Sequence, residues 1–189
     1  MRPYLVIVGL WLAWALSWLA AAGWSARTDK RVGLRGELSY RIVLVIGAIA
    51  LFPRAHGYTG PLRIWRVTLD QAWVCAAVIV CGFAFCWWAR LHLGRLWSGS
   101  VTKKADHHVV DTGPYAIVRH PIYTGLLLAI YATAAAKGTV WGLAGAAIIT
   151  VGIWMKARLE EGWLRQELDP GAYDRYRRRV PMLVPFGPR

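Results

Sequence analysis

The residues able to do chemistry concentrate in one short segment, Gly113-Pro114-Tyr115-Ala116-Ile117-Val118-Arg119-His120-Pro121-Ile122-Tyr123-Thr124-Gly125. Tyr115 and Tyr123 offer aromatic faces and phenol donors, Arg119 a fixed cation, and His120 a ring whose charge switches near neutrality. Pro114 and Pro121 stiffen the backbone, and Pro121 suits the first turn of a helix. A second polar cluster, from Lys156 to Tyr176, carries Arg158 and the paired carboxylates Glu160 and Glu161. Adjacent helical residues point about 100° apart, so one of the two carboxylates would line a given pocket. S-adenosylmethionine suits such a set: its ribose diol wants a carboxylate acceptor, and its carboxylate wants Arg, His or backbone N–H donors. Its sulfonium is favoured beside a Tyr face or a carboxylate. A phosphate-bearing cofactor would accept the same groups. No GxGxxG follows a strand and strands do not alternate with helices, which excludes a soluble dinucleotide-fold methyltransferase.

These clusters must be positioned by apolar helices. The chain has 189 residues, is 57% hydrophobic and contains 12 Trp, with a mean hydropathy of +0.36. Several runs approach the roughly 20 apolar residues that cross a bilayer. The sequence therefore predicts an all-α integral membrane protein of about five transmembrane helices. The expected spans cover residues 1–24, 38–52, 71–88, 122–136 and 139–155. Lys137-Gly138 makes a tight turn between the last two, and the fifth helix runs past the membrane through Lys156, Arg158, Glu160 and Glu161. One membrane domain, 1–189, is expected: residues 1–70 hold two spans and a link, and residues 71–189 a core with a cofactor-binding loop and a helical tail. Trp87-Trp88 would mark an interface, and most Trp residues would form the interfacial belt.

The net charge of +13 flanks the apolar runs. It fits retained cytoplasmic loops and anionic lipid headgroups better than nucleic acid. Lys and Arg follow spans one, three and five, which places the polar loop and the C-terminus in the cytoplasm. The basic run Arg177-Arg178-Arg179 reads as a headgroup anchor. Cys75, Cys81 and Cys86 share one apolar run without CxxC spacing, so they read as helix-packing residues. His107 and His108 have no further His or Cys at ligand spacing, and no metal is expected.

The run from His107 to Tyr115, continuing through Val118-Arg119-His120-Pro121-Ile122-Tyr123-Thr124-Gly125, resembles the isoprenylcysteine carboxyl methyltransferase family. Glu160-Glu161 and the tail Tyr173-x-x-Tyr176-x-x-Arg179-Val180-Pro181, ending at Pro185-Phe186, are similar to its C-terminal signature. The resemblance implies a membrane methyltransferase with S-adenosylmethionine beneath the polar loop and a lipophilic substrate entering from the bilayer. It assigns cofactor contacts to His107, His108, Val109, Val110, Tyr115, His120, Pro121, Ile122 and Tyr123, and to Glu160 or Glu161. Arg119 joins them as a cation for the cofactor carboxylate. Lys156 or Arg158 would hold the acceptor carboxylate. The named acceptor is isoprenylcysteine; phospholipid amines and small thiols belong to relatives with the same cofactor signature. An NADPH-dependent membrane reductase and a non-catalytic membrane scaffold are the readings from other classes.

Overall fold

A computed structural model describes residues 3–24, 28–31, 33–52, 62–98, 102–104, 109–167 and 171–188. The elements are α1 (Pro3–Ala20), β1 (Thr28–Arg31), α2 (Leu34–Leu51), α3 (Leu69–Leu93), β2 (Thr102–Lys104), α4 (Pro114–Ile117), α5 (Pro121–Lys137), α6 (Val140–Glu167) and α7 (Ala172–Arg179). The architecture is helical, with one short ribbon in which β1 and β2 pair antiparallel. Among the described residues, three stretches are long and apolar enough to cross a membrane: Pro3–Gly23, Leu69–Leu96 and Val140–Glu167.

Local chemistry sets the helix ends. Thr68 begins α3 with a capping box: its hydroxyl accepts from the Gln71 amide at 3.3 Å, and the Gln71 side chain accepts from the Thr68 amide at 3.0 Å. Pro121 opens α5, where its missing N–H costs nothing. Gly138 closes α5 at φ +61°, a left-handed conformation that glycine adopts without strain. A Cβ there would lie 2.5 Å from the Trp65 carbonyl oxygen. The segment after α2 lies against this turn, with Ile64 donating to the Gly138 carbonyl at 2.8 Å and Val140 to that of Leu62 at 3.0 Å.

α3 runs beyond the expected interface at Trp88, so Arg90 belongs to the helix and is fully buried. The α5–α6 hairpin forms as expected, yet each of its helices packs most closely on a different neighbour, α5 on α3 and α6 on α2. Glycines create both seams. A Cβ on Gly125 would stand 2.5 Å from the Gly82 carbonyl oxygen, and one on Gly145 2.5 Å from the Leu51 amide. Close backbone approach at small residues is how helices associate where lipid removes the hydrophobic drive. Ile79, Phe83 and Ala129 fill the first seam and Leu51, Ala146 and Ile149 the second.

At 28 residues, α6 is about 42 Å long. That exceeds a hydrocarbon core of about 30 Å, so its polar last turns emerge beside α4 and α7.

Candidate functional site

The polar end of the bundle holds a cavity of about 410 Å³. It lies where α1, α3 and α6 end, with α4, the start of α5 and α7 around it.

The loop before α5 is knitted to the chain after α7. The Arg119 amide donates to the Pro181 carbonyl at 2.8 Å and the His120 amide to Met182 at 3.1 Å. The Thr124 hydroxyl reaches the Leu183 carbonyl at 2.6 Å. Tyr176 donates its phenol to the Tyr115 carbonyl at 2.7 Å. Burial pushes the phenols of Tyr115, Tyr173 and Tyr176 above the ordinary tyrosine range, so they remain donors. Gly113 turns into α4 at φ +57°, and a Cβ there would meet the His92 ring at 2.7 Å. His92 in turn meets the Thr112 hydroxyl at 2.9 Å and packs near-parallel to Tyr115.

The two adjacent carboxylates divide. Glu161 is buried and ion-pairs with Arg119 Nε at 2.7 Å and Arg177 Nε at 3.6 Å, with His120 Nε2 within hydrogen-bond reach at 3.1 Å. Arg119 Nη1 donates to the carbonyls of Arg177 and Val180. Glu160 instead lines the cavity. It accepts from the Tyr123 hydroxyl at 2.6 Å and lies 3.6 Å from His120 Nδ1 and 3.9 Å from Lys156 Nζ. His120 stacks on Tyr123 with centroids 5.4 Å apart. Each imidazole nitrogen thus faces one carboxylate.

Val109, Val110, Tyr115, Arg119, His120, Ile122, Tyr123, Lys156 and Glu160 are brought together on the cavity wall. Pro121 is buried behind it and Glu161 lies beneath it. Arg158 is exposed and lies over Trp154, off the cavity. His107 and His108 lie outside the described residues. Of the basic run after Asp174, Arg177 pairs with Glu161 and Arg179 with Asp111 at 2.9 Å, so two of its three cations are engaged within the protein.

Sequence reasoning missed the other wall. Trp14, Trp18 and Leu19 of α1, with Leu93 at the end of α3 and Leu96 and Trp97 after it, make an aromatic and aliphatic part of the cavity lining. These Trp residues read as membrane belt in sequence. The local signal that could have separated them is Trp14 and Trp18 spaced i, i+4, one face of a helix. Trp163 also lines the cavity, and its indole N–H has no partner among the described residues.

Residues 74–162 match the model of the isoprenylcysteine carboxyl methyltransferase (ICMT) family. The chain is 47% identical over 73 residues to methanethiol S-methyltransferase 2 of Bradyrhizobium diazoefficiens, covering 38% of this chain and 26% of that protein. It is 40% identical over 72 residues to methanethiol S-methyltransferase of Crocosphaera subtropica, covering 38% and 27%. The match thus spans about a quarter of the length of these curated relatives. Of the residues that carry the resemblance, 107–125 and Glu160-Glu161 lie within the matched stretch, and the tail from Tyr173 lies beyond it.

Proposed function

We propose, from the premise that residues 74–162 form an ICMT-family core, that this membrane protein transfers a methyl group from S-adenosylmethionine to a small thiol. The observation that carries the reading is one cavity lined both by the Glu160 carboxylate and by an apolar set of Trp and Leu side chains. The fit to the cofactor rests on chemistry at that wall. Glu160 supplies an acceptor for a diol, the Trp163 N–H is an orphaned donor, and Tyr115 and Tyr123 present aromatic faces. S-adenosylmethionine, when bound, supplies an electrophilic methyl group on a sulfonium.

The protein's part is positioning and desolvation of the two reactants. A thiol must give up its proton, and Glu160 and His120 are groups at the wall able to take one. Arg119 and Glu161 hold the frame on which His120 and Glu160 sit. The names of the relatives favour the thiol. Carboxyl methylation of an isoprenylcysteine-like acceptor is the second reading, favoured by Lys156 on the cavity wall, where its ammonium could meet a carboxylate.

Two further helices complete a five-span reading. α2 presents Leu38, Ile42, Val45, Ile46 and Ile49 outward, a lipid-facing stripe, and α5 is an apolar helix of 17 residues between α3 and α6. Most Lys and Arg then fall in segments at the cavity end, which supports a cytoplasmic site and tail. Arg178 is exposed there and available to anionic headgroups.

Detergent-purified protein with methyl-labelled S-adenosylmethionine tests the reading. Label moving to methanethiol as volatile dimethyl sulfide supports the thiol acceptor. Base-labile label on a prenylcysteine analogue would move the assignment to carboxyl methylation. No transfer to either, together with no cofactor binding by calorimetry, would sink the methyltransferase; 2′-phosphate-dependent NADPH binding would then point to a reductase.

A further inference from the structure

The cavity has two chemically opposed halves. Tyr123, His120, Lys156 and Glu160 cluster as a polar part, whereas Trp18, Leu19, Leu93, Leu96 and Trp97, with Trp18 against Trp97, present no charge. Behind the second half lies a charge that is absent from its surface. Arg90 is 0% exposed, and its guanidinium sits 3.4 Å from the Trp97 ring centroid and 5.1 Å from that of Trp18. It donates to the Ala21 carbonyl where α1 ends. Its Nε and Nη1 have no hydrogen-bond partner among the described residues.

A buried cation with unsatisfied donors is costly unless something compensates it. Here the two indole faces supply that compensation, and desolvated cation–π contacts are the strong ones. Arg90 does not line the cavity, but both aromatic rings that hold it do. The guanidinium is planar and stacks flat, so it fixes the ring it covers in a way an ammonium cannot. Trp18 also meets Trp97 and Trp87 edge-on, with centroids 5.6 and 5.5 Å apart, and Trp14 stacks on both Trp18 and Phe83. The wall is therefore a braced aromatic stack joining the ends of α1 and α3.

We propose that this half is the acceptor subsite, that it takes the neutral apolar body of the acceptor, and that Arg90 is a positioning residue limiting acceptor size by holding Trp97 and Trp18 in place. The inference rests on the methyl-transfer reading of the same cavity and deepens it. Leu19 is 69% exposed while lining the cavity, so the subsite opens along α1 and removing wall volume lengthens it.

The test uses an alkyl thiol series from methyl to dodecyl on the full chain in detergent. Binding to cofactor-loaded protein is read by tryptophan fluorescence quenching, turnover by methyl transfer, and cofactor affinity by calorimetry. Trp97→Ala is expected to shift preference toward longer thiols, approaching about fourfold tighter binding for each methylene newly accommodated. Leu96→Ala should shift it the same way by less, and it guards against a Trp97 variant that fails to fold. Arg90→Lys keeps the charge and loses the flat stack, so it should broaden the chain-length profile through KM with cofactor affinity within about twofold of wild type. Loss of kcat or cofactor affinity with an unchanged chain-length profile in the folded variants would overturn the subsite. A wild type that binds thiols by length yet transfers no methyl group would overturn the reaction while leaving the subsite standing.

Discussion

The two walls of the cavity are built on opposite principles. On the polar wall nearly every group is held by more than one partner: Glu161 by Arg119, His120 and Arg177, Glu160 by Tyr123, His120 and Lys156, and the loop backbone by Pro181 and Met182. The aromatic wall is held by ring contacts and one hidden cation. Directional, charge-assisted bonds fix geometry and tolerate little change, whereas apolar packing tolerates volume-conserving exchange at less than about 1.5 kcal/mol. The polar wall is suited to one invariant ligand, and the aromatic wall to one that can be retuned.

Cutting the polar wall at its root should have the largest effect. Glu161→Ala leaves Arg119 buried without its counter-charge, and such breaks cost about 3–5 kcal/mol. Chemical unfolding in detergent should show that loss, and an unchanged stability would break the contrast between the walls. Glu160→Gln removes a carboxylate that faces the cavity without carrying the frame. It should leave the unfolding midpoint near that of wild type and weaken cofactor affinity by roughly 1.5–3 kcal/mol, read by calorimetry. If the two variants instead behave alike, Glu160 is part of the frame.

The two ends of α5 and the expectation that one of the paired carboxylates would line a pocket were legible in the sequence, because both follow from local rules. Pro121 and Gly138 bound α5 as their backbone preferences require, and the 100° step between neighbours separates the two carboxylates, although which of them faces the cavity came from the fold alone: Glu160 lines it and Glu161 is buried. Seams between helices were not legible. Gly82 and Gly125 touch across a long sequence separation, and nothing local in either run names the other as its partner. Arg90 read as the start of a polar loop because the helix end was placed at the Trp pair. Its burial depends on rings from α1 that no window around residue 90 contains.

A smaller effect separates the tail's role from that of the carboxylates. Tyr176→Phe removes one buried bond to the Tyr115 carbonyl and should cost about 1 kcal/mol. The raised phenols add an alkaline signature. Unfolded tyrosine ionises near pH 10, roughly, and the folded groups do so higher. Their contribution is fully present below pH 10, roughly, and is lost as pH rises through the folded values. Replacing Tyr173 with Phe should flatten that decline in a pH series of unfolding midpoints. Arg158→Ala is expected to do least, within about 0.5 kcal/mol in stability, because the side chain is exposed. Its cofactor affinity should match that of wild type, and a marked loss would return Arg158 to the site.

Trp14, Trp18 and Leu19 lie outside the stretch that matches the family, whereas Tyr115, His120, Tyr123 and Glu160 lie inside it. Leu93, Leu96 and Trp97 of the aromatic wall also lie inside it, so within that wall the α1 residues are the part that falls outside the match. Substitutions accumulating along α1 would reshape the cavity while leaving the hereditary signature of residues 74–162 intact. Chains that share that stretch could then differ in what the cavity admits along α1.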